Sequence, residues 1–428
     1  MSIKIFKGRL IDAPTPKSLR IRDNTYIGVN NNTIIFISET LPSEYLNQEV
    51  TELSSSEFLL PGFIDCHAHP PQYPFIGTAF GKPLLEWLKA TVHNFEPKYK
   101  DTNYATEIYN KFIKKSIENG TVAGSYFATI HTDSSRILAD ICEKYHFNAL
   151  IGKVNQDMNF PDNLRENTEE SVKDTLEFIE MLKNYQFVKP VITPRFAVSC
   201  TRKLMTKLGD IANEKDLFLQ THLSESVNEC ELINEMYPEC DNYTDVYKKY
   251  HCLTSKTLLA HSIHLSEEEL KEIKSAGASL VHCPNANLVM KSGFCLVKKA
   301  LENDVNICMG SDVSGGCSVS MVEAMKLALI VGNINNMVKA SDDTLSLSEV
   351  LYLATAGGAK CLQMDNLGSL DVGKRFDCVR VDLNSKDSPV DLFEWNTKEQ
   401  YLERFILQGD SRNIVQVYID GEIVSNKL

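Results

Sequence analysis

Five side chains at four places are the chemically most telling feature of this sequence. His67 and His69 are separated by a single residue, and His222, His261 and Asp312 follow far down the chain. Each place sits at or just beyond the end of a short apolar run. Imidazole nitrogens and a carboxylate oxygen are donors that suit a divalent ion with zinc-like preferences, and iron equally. An ion so held lowers the pKa of a bound water to about 7 and supplies hydroxide at neutral pH. A His-x-His pair is too short a motif to argue alone, and a lone histidine at a strand end is usually a packing residue. Four places in phase with four separate strand ends are much harder to explain as packing.

Glu225 lies three residues past His222, on the expected turn into a helix. A carboxylate there can carry a proton between an activated water and a leaving group, with Asp312 as a proton acceptor and His261 as a weak ligand or a hydrogen-bond partner of the hydroxide. The plain alternative for Glu225 is an acid favoured by the helix dipole, which is the better reading of Glu229. Gln72 follows the His-x-His pair, and Arg195-Phe196 follows another apolar run. An amide, a guanidinium and an aromatic ring together suit a flat heterocycle with polar edges. Taken singly, a surface ion pair for Arg195 and a core contact for Phe196 are equally good readings. His131 and His282 stand near expected strand ends as further candidates for lining the pocket. His93, His146, His251 and His264 read as ordinary helix or loop residues. Ser311 and Cys317 lack an evident base to make either a nucleophile.

The elements that must position these groups alternate between strand and helix. Eight strands are expected: Phe63–His67, Thr121–Phe127, Asn148–Val154, Val188–Pro194, Leu217–His222, Thr257–His261, Ala278–Cys283 and Val305–Ser311. Helices between them include Thr102–Asn119, with apolar residues on one face and Gly120 as its stop. Glu169–Leu182 and Ser266–Ser275 follow, the latter opening with a capping-box pattern. Such an alternation is the measure of a (β/α)8 TIM-type barrel, whose catalytic groups come from the C-terminal strand ends. Helices Met321–Val331 and Leu347–Ala356 come after it. Short strands flank the barrel on both sides: Ser2–Ile5, Ile27–Val29 and Thr33–Ile37 before it, Phe376–Asp382, Val415–Ile419 and Glu422–Val424 after it, with Asp420-Gly421 as a hairpin turn. Residues 1–60 and 366–428 are therefore expected to form a small β-sandwich-like domain, and residues 61–365 the barrel with its C-terminal helices.

Composition narrows the function classes. The chain has 428 residues and a formal net charge of −13, so no general attraction to nucleic acid or anionic membrane is expected. Twelve cysteines without a C-x-x-C pair argue for reduced thiols rather than a disulfide framework or a thiolate metal site. No stretch approaches a membrane span, and the amino terminus has no apolar signal core, which points to the cytoplasm. Asn426-Lys427-Leu428 differs at its first position from a peroxisomal Ser-Lys-Leu tail; an ordinary polar tail is the simpler reading.

Pro61-Gly-Phe-Ile-Asp-Cys-His-Ala-His69 and Gly368-Ser-Leu-Asp-Val-Gly-Lys-Arg-Phe-Asp377 resemble motifs of the amidohydrolase superfamily. Several blocks resemble its guanine deaminase family more closely. They are His69-Pro-Pro-Gln72, Pro83-Leu-Leu-Glu-Trp-Leu88, Tyr126-Phe-Ala-Thr-Ile-His-Thr-Asp-Ser-Ser135, Thr193-Pro-Arg-Phe196, His222-Leu-Ser-Glu225, His282-Cys-Pro-Asn-Ala-Asn-Leu288 and Gly310-Ser-Asp-Val-Ser-Gly-Gly316. The resemblance implies one zinc ion per subunit held by His67, His69, His222 and Asp312, with Glu225 as proton shuttle and His261 orienting the hydroxide. It implies guanine as substrate, held by Gln72, Arg195 and Phe196 beside His69, His222, Glu225 and Asp312, and a homodimer active in purine catabolism. Cys66 stands where the family usually has Thr, and Pro70-Pro71 stiffens the loop before Gln72. Two other readings stay open: a superfamily member acting on a different aminoheterocycle or cyclic amide, and a catalytically inactive scaffold on the same fold.

Overall fold

The computed structural model describes residues 3–339 and 343–428. Ser2, the start of the first expected strand, lies outside the described residues.

Eight parallel strands run in sequence order around a barrel: β1 (Phe63–Ala68), β2 (Thr121–Phe127), β3 (Asn148–Gly152), β4 (Val188–Pro194), β5 (Phe218–Leu223), β6 (Thr257–His261), β7 (Ser279–His282) and β8 (Asn306–Met309). Neighbours pair in parallel register from β1 through β8. Closure is made at the top of the last and first strands. The Asp312 N–H donates to the His67 carbonyl at 2.8 Å, and the His69 N–H donates to the Val313 carbonyl at 2.8 Å. Asp65 latches the same seam, accepting from the Ser311 N–H at 2.9 Å and the Ser311 hydroxyl at 2.6 Å. Gly310 is required where the chains approach, because a Cβ there would lie 2.7 Å from the Cβ of His67.

The barrel interior is filled in layers. Ile64, Ala123, Leu150, Val191, Phe218, Leu258, Val281 and Cys308, one from each strand, meet in a single apolar cluster. Cys66 packs in that same cluster. Two residues further along their strands, Ser125, Thr193 and Gln220 make a buried polar layer: Ser125 donates to Gln220 Oε1 at 2.7 Å, and Gln220 Nε2 donates to Thr193 Oγ1 at 3.0 Å. Another two residues on, Phe127, Arg195 and His222 reach the mouth. The two-residue period of a strand thus turns apolar, polar and reactive side chains into successive layers.

The helices form where the sequence pattern places them. Thr102–Glu118 buries Ala105, Ile108, Tyr109, Phe112, Ile113 and Ile117, and the Asp101 side chain caps it by accepting from the Asn103 N–H. Ser266 and Glu269 make a reciprocal capping box at Glu267–Ala276. The expected helix at Leu347 ends at Ala354, and a second, Ala356–Cys361, begins after the non-helical Thr355. The helix at Met321 runs on to Lys339. The third strand is shorter than expected, because Val154–Asn155 pairs separately with β4.

Both ends of the chain meet in one eight-stranded sheet. Its order runs Glu422–Asn426, Ile414–Ile419, Cys378–Asp382, Glu57–Pro61, Ile3–Thr15, Ser18–Asn30, Thr33–Ser38, with Val50–Glu52 pairing onto Ile3–Thr15. Asp420 and Gly421 have φ of 53° and 77°, the left-handed pair that a tight hairpin turn requires. Among the described residues no helix is long and apolar enough to cross a membrane.

Candidate active site

His67 and His69 come from the end of β1, His222 from β5, His261 from β6, and Asp312 from the turn after β8. His67, His69, His261 and Asp312 are buried, and His222 is half-buried. His222 is in phase with the interior residues of its strand. His261 is one residue out of phase with Leu258 and Ala260, and its φ of 67° marks the point where β6 leaves regular geometry. Asp312 also has a left-handed φ, 48°. Such strain persists only where surrounding structure holds it, here the backbone seam between β8 and β1.

The donor atoms are close-set. His69 Nε2 lies 3.2 Å from His222 Nε2, and Asp312 Oδ1 lies 3.3 Å from His67 Nε2 and 3.4 Å from His69 Nε2. The edge of a tetrahedron with metal–ligand bonds of about 2.0–2.1 Å is about 3.3 Å, so these spacings fit one divalent ion. His67 Nε2 is buried with no hydrogen-bond partner among the described residues, as a nitrogen kept for a metal would be. His222 Nδ1 faces the Arg195 carbonyl at 2.6 Å, which fixes its tautomer and leaves Nε2 as the donor. Burial pulls His67, His69 and His222 well below the usual imidazole range, so their lone pairs are available at neutral pH.

Glu225 and His261 stand beside this cluster. His261 Nε2 is 3.5 Å from Glu225 Oε2 and 3.7 Å from Asp312 Oδ2, while its Nδ1 faces Asn287 Oδ1 at 2.9 Å. Burial pushes Glu225 well above the usual carboxylate range, and the charges of Glu229 and Asp312 add to that push. Burial also pushes Asp312 up to about 6, against the opposing pull of His261 and Arg195. Glu229 closes a capping box with Ser226 on helix Val227–Met236, which accords with its reading as a helix-start acid. Its Oε2 also accepts the Glu225 N–H at 2.9 Å and its Oε1 the Tyr243 hydroxyl at 2.8 Å, so it holds the Glu225 backbone.

A cavity with about 380 Å³ of empty space opens over these groups. His69, Gln72, Arg195, Phe196, His222, Glu225, His261 and Asp312 line it, together with Trp87 and Leu88 of helix Leu84–Ala90 and Met290. The structure therefore gathers into one place every residue that sequence pattern marked for metal, proton transfer or ring recognition, with His67 just beneath. Arg195 is 3% exposed, which removes the surface ion-pair reading. Of the remaining candidates, His131 lines a separate cavity with Tyr99 and Glu166, and His282 is buried without lining either.

Sequence reasoning missed Glu96. It is 1% exposed and lies behind Arg195, accepting from Nη1 and Nη2 at 2.9 Å each. It also missed Asn287 as the partner of His261. Asn287 lies in the block His282–Leu288, the one signal that could have found it; Glu96 carries no local signal, being one acid among 57 acidic residues with its partner 99 positions away.

A (β/α)8 barrel with three imidazoles and a carboxylate converging at its C-terminal mouth defines a metal-dependent hydrolase. The amidohydrolase family model matches residues 58–424, and the chain belongs to that family. Its sequence places it among the guanine deaminases there. It is 42% identical to guanine deaminase of Mus musculus, with 98% of this chain and 96% of the relative covered, and 41% identical to that of Homo sapiens over the same shares. A solved structure of guanine deaminase from C. acetobutylicum with guanine bound is 35% identical and superposes with a TM-score of 0.94, covering 99% of this chain and 100% of that one.

Proposed function

We propose that this protein is a hydrolase that converts guanine and water to xanthine and ammonia, using one zinc ion per subunit. The observation that carries the proposal is one cavity that sets a buried acid, Glu225, and a buried guanidinium, Arg195, beside a close-set group of metal donors. His67, His69, His222 and Asp312 would hold the ion, which when bound makes water a competent nucleophile at neutral pH.

The rest of the chemistry belongs to the chain's own groups. Phe196 supplies a ring face for the flat heterocycle, and Trp87 and Leu88 keep bulk water from the reacting carbon. Arg195 donates to a ring carbonyl, and Gln72 reads an adjacent polar edge. Asp312 accepts a proton from the attacking water. Glu225, whose hold on a proton burial strengthens, gives that proton to a ring nitrogen, relays the water's first proton from Asp312 to the departing amine, and takes back the second as the new carbonyl forms. His261 has Asn287 on Nδ1, so Nε2 faces the space between Glu225 and Asp312 and orients the water there. Adenine has an amino group where guanine has the carbonyl. It would leave the buried Arg195 donor unpaired, which is a strong discriminator.

The same reading carries a homodimer and a place in purine breakdown, which the family resemblance supports, and a cytoplasmic location, which twelve cysteines without a disulfide support. The deciding experiment is ammonia release by zinc-loaded protein from guanine, with adenine, cytosine and a cyclic amide in parallel. Turnover of guanine alone is expected. Activity on another member of the panel without guanine would keep the hydrolytic site and discard the assigned recognition residues. Silence on all four with zinc bound would favour the inactive scaffold.

A further inference from the structure

The geometry points to Glu96 as the positioning residue of the recognition half of the site: it fixes both the Arg195 guanidinium and the Gln72 amide in the one orientation that reads the ring. Glu96 itself does not line the cavity; Arg195 and Gln72 stand between it and the open space. Its Oε2 accepts from Arg195 Nη1 at 2.9 Å, and its Oε1 accepts from Arg195 Nη2 at 2.9 Å and from Gln72 Nε2 at 3.2 Å. One carboxylate therefore holds two side chains delivered by different strands.

The consequences are specific. A bidentate carboxylate fixes the plane of a guanidinium as well as its place. Arg195 Nη1 spends its second hydrogen on Gln156 Oε1 at 3.3 Å. Among the described residues this leaves Nε–H and one Nη2 hydrogen without a protein partner, so the pair presents a fixed donor edge to a ligand. Gln72 is pinned at both ends, because its Oε1 accepts the Ser314 N–H at 3.3 Å while its Nε2 donates to Glu96. The amide cannot flip without breaking both bonds, so its polarity toward the ring is set. Glu96 also cancels the Arg195 charge, so the cavity offers directed donors rather than a bare cation. That suits a neutral heterocycle with a carbonyl over an anionic ligand.

This inference rests on the heterocycle-hydrolase reading, so its test uses whichever substrate of the panel the wild-type enzyme turns over fastest. A wrong substrate then shows in the wild-type rates, and a wrong role for Glu96 only in the ratio of variant to wild type. The full-length zinc enzyme carrying Glu96→Gln is expected to show KM raised about tenfold or more, a smaller change in kcat, and unchanged zinc content. Glu96→Asp, which keeps the charge, is expected to recover part of the KM loss. Equal KM values in wild type and Glu96→Gln would overturn the proposal. So would a loss confined to melting temperature.

Glu96→Gln strips a buried guanidinium of its counter-ion, so a second comparison removes the guanidinium from both members, the single variant still carrying the unpaired Glu96 carboxylate. Arg195→Met is set beside the double variant Glu96→Gln/Arg195→Met, which carries no buried charge at the pair and keeps an acceptor for Gln72. If Glu96 acts through Arg195, the two have kcat/KM within about threefold of each other. A double variant more than about tenfold below Arg195→Met gives Glu96 an action of its own and sinks the assignment.

Discussion

The two halves of the cavity are built differently. The reaction half comes from the ends of β1, β5, β6 and the turn after β8, where backbone bonds between adjacent strands place His67, His222 and Asp312. The recognition half comes from loops. Gln72 follows β1, Arg195 follows β4, and both are tied to Glu96, which lies outside the barrel strands. A rigid scaffold sets the reacting groups, while side-chain bonds among loop residues set the reading groups. Reaction chemistry needs sub-ångström placement of several donors around one point, which strand ends supply. Selectivity varies with loops, which can change without disturbing the barrel.

That contrast makes substitutions in the two halves fail differently. Asp312→Ala should cost most, losing both the metal and at least about 10³-fold in turnover, since the site loses a ligand and a proton acceptor together. Metal analysis with ammonia release checks this, and full zinc occupancy would remove Asp312 from the ligand set. Glu225→Gln should fold and keep zinc while kcat falls about 10²–10⁴-fold. Normal turnover in that variant would take Glu225 out of the mechanism. Arg195→Ala should retain zinc, with kcat/KM for guanine down about 10²-fold and selectivity over adenine reduced. It also leaves Glu96 buried without its partner, a loss of about 3–5 kcal/mol that a denaturant titration would read. Equal selectivity before and after would erase the distinction between the halves. Asn287→Ala should cost about tenfold in kcat with KM unchanged, because His261 loses the acceptor that sets its tautomer. The smallest effect is expected from Gly310→Ala, about 1–3 kcal/mol of stability from crowding His67 at the seam. A melting temperature equal to wild type would show that the seam yields easily.

Legibility in the sequence followed the same division. The barrel and the convergence of the strand-end imidazoles could be read because strand alternation and apolar runs are local signals, and a strand end in this fold points to one place. Arg195 and Phe196 could be read as a pair but not as buried, because burial depends on Glu96 and Phe160 packing from elsewhere. His261 could be placed at a strand end, but not its left-handed φ or its bond to Asn287. His131, past the end of the second strand, was a candidate for lining the pocket, yet it lines a different cavity.

By itself, then, the sequence determined the alternating elements, the terminal strands, the donor types and the ends on which they sit. Those follow from side-chain period and composition over a few residues. Only the tertiary structure decided that Asp312 Oδ1 lies 3.3 Å from His67 Nε2, and that Glu96 stands behind Arg195. The physical reason is that both facts depend on barrel closure and loop packing, which join residues 245 and 99 positions apart through contacts no local pattern encodes.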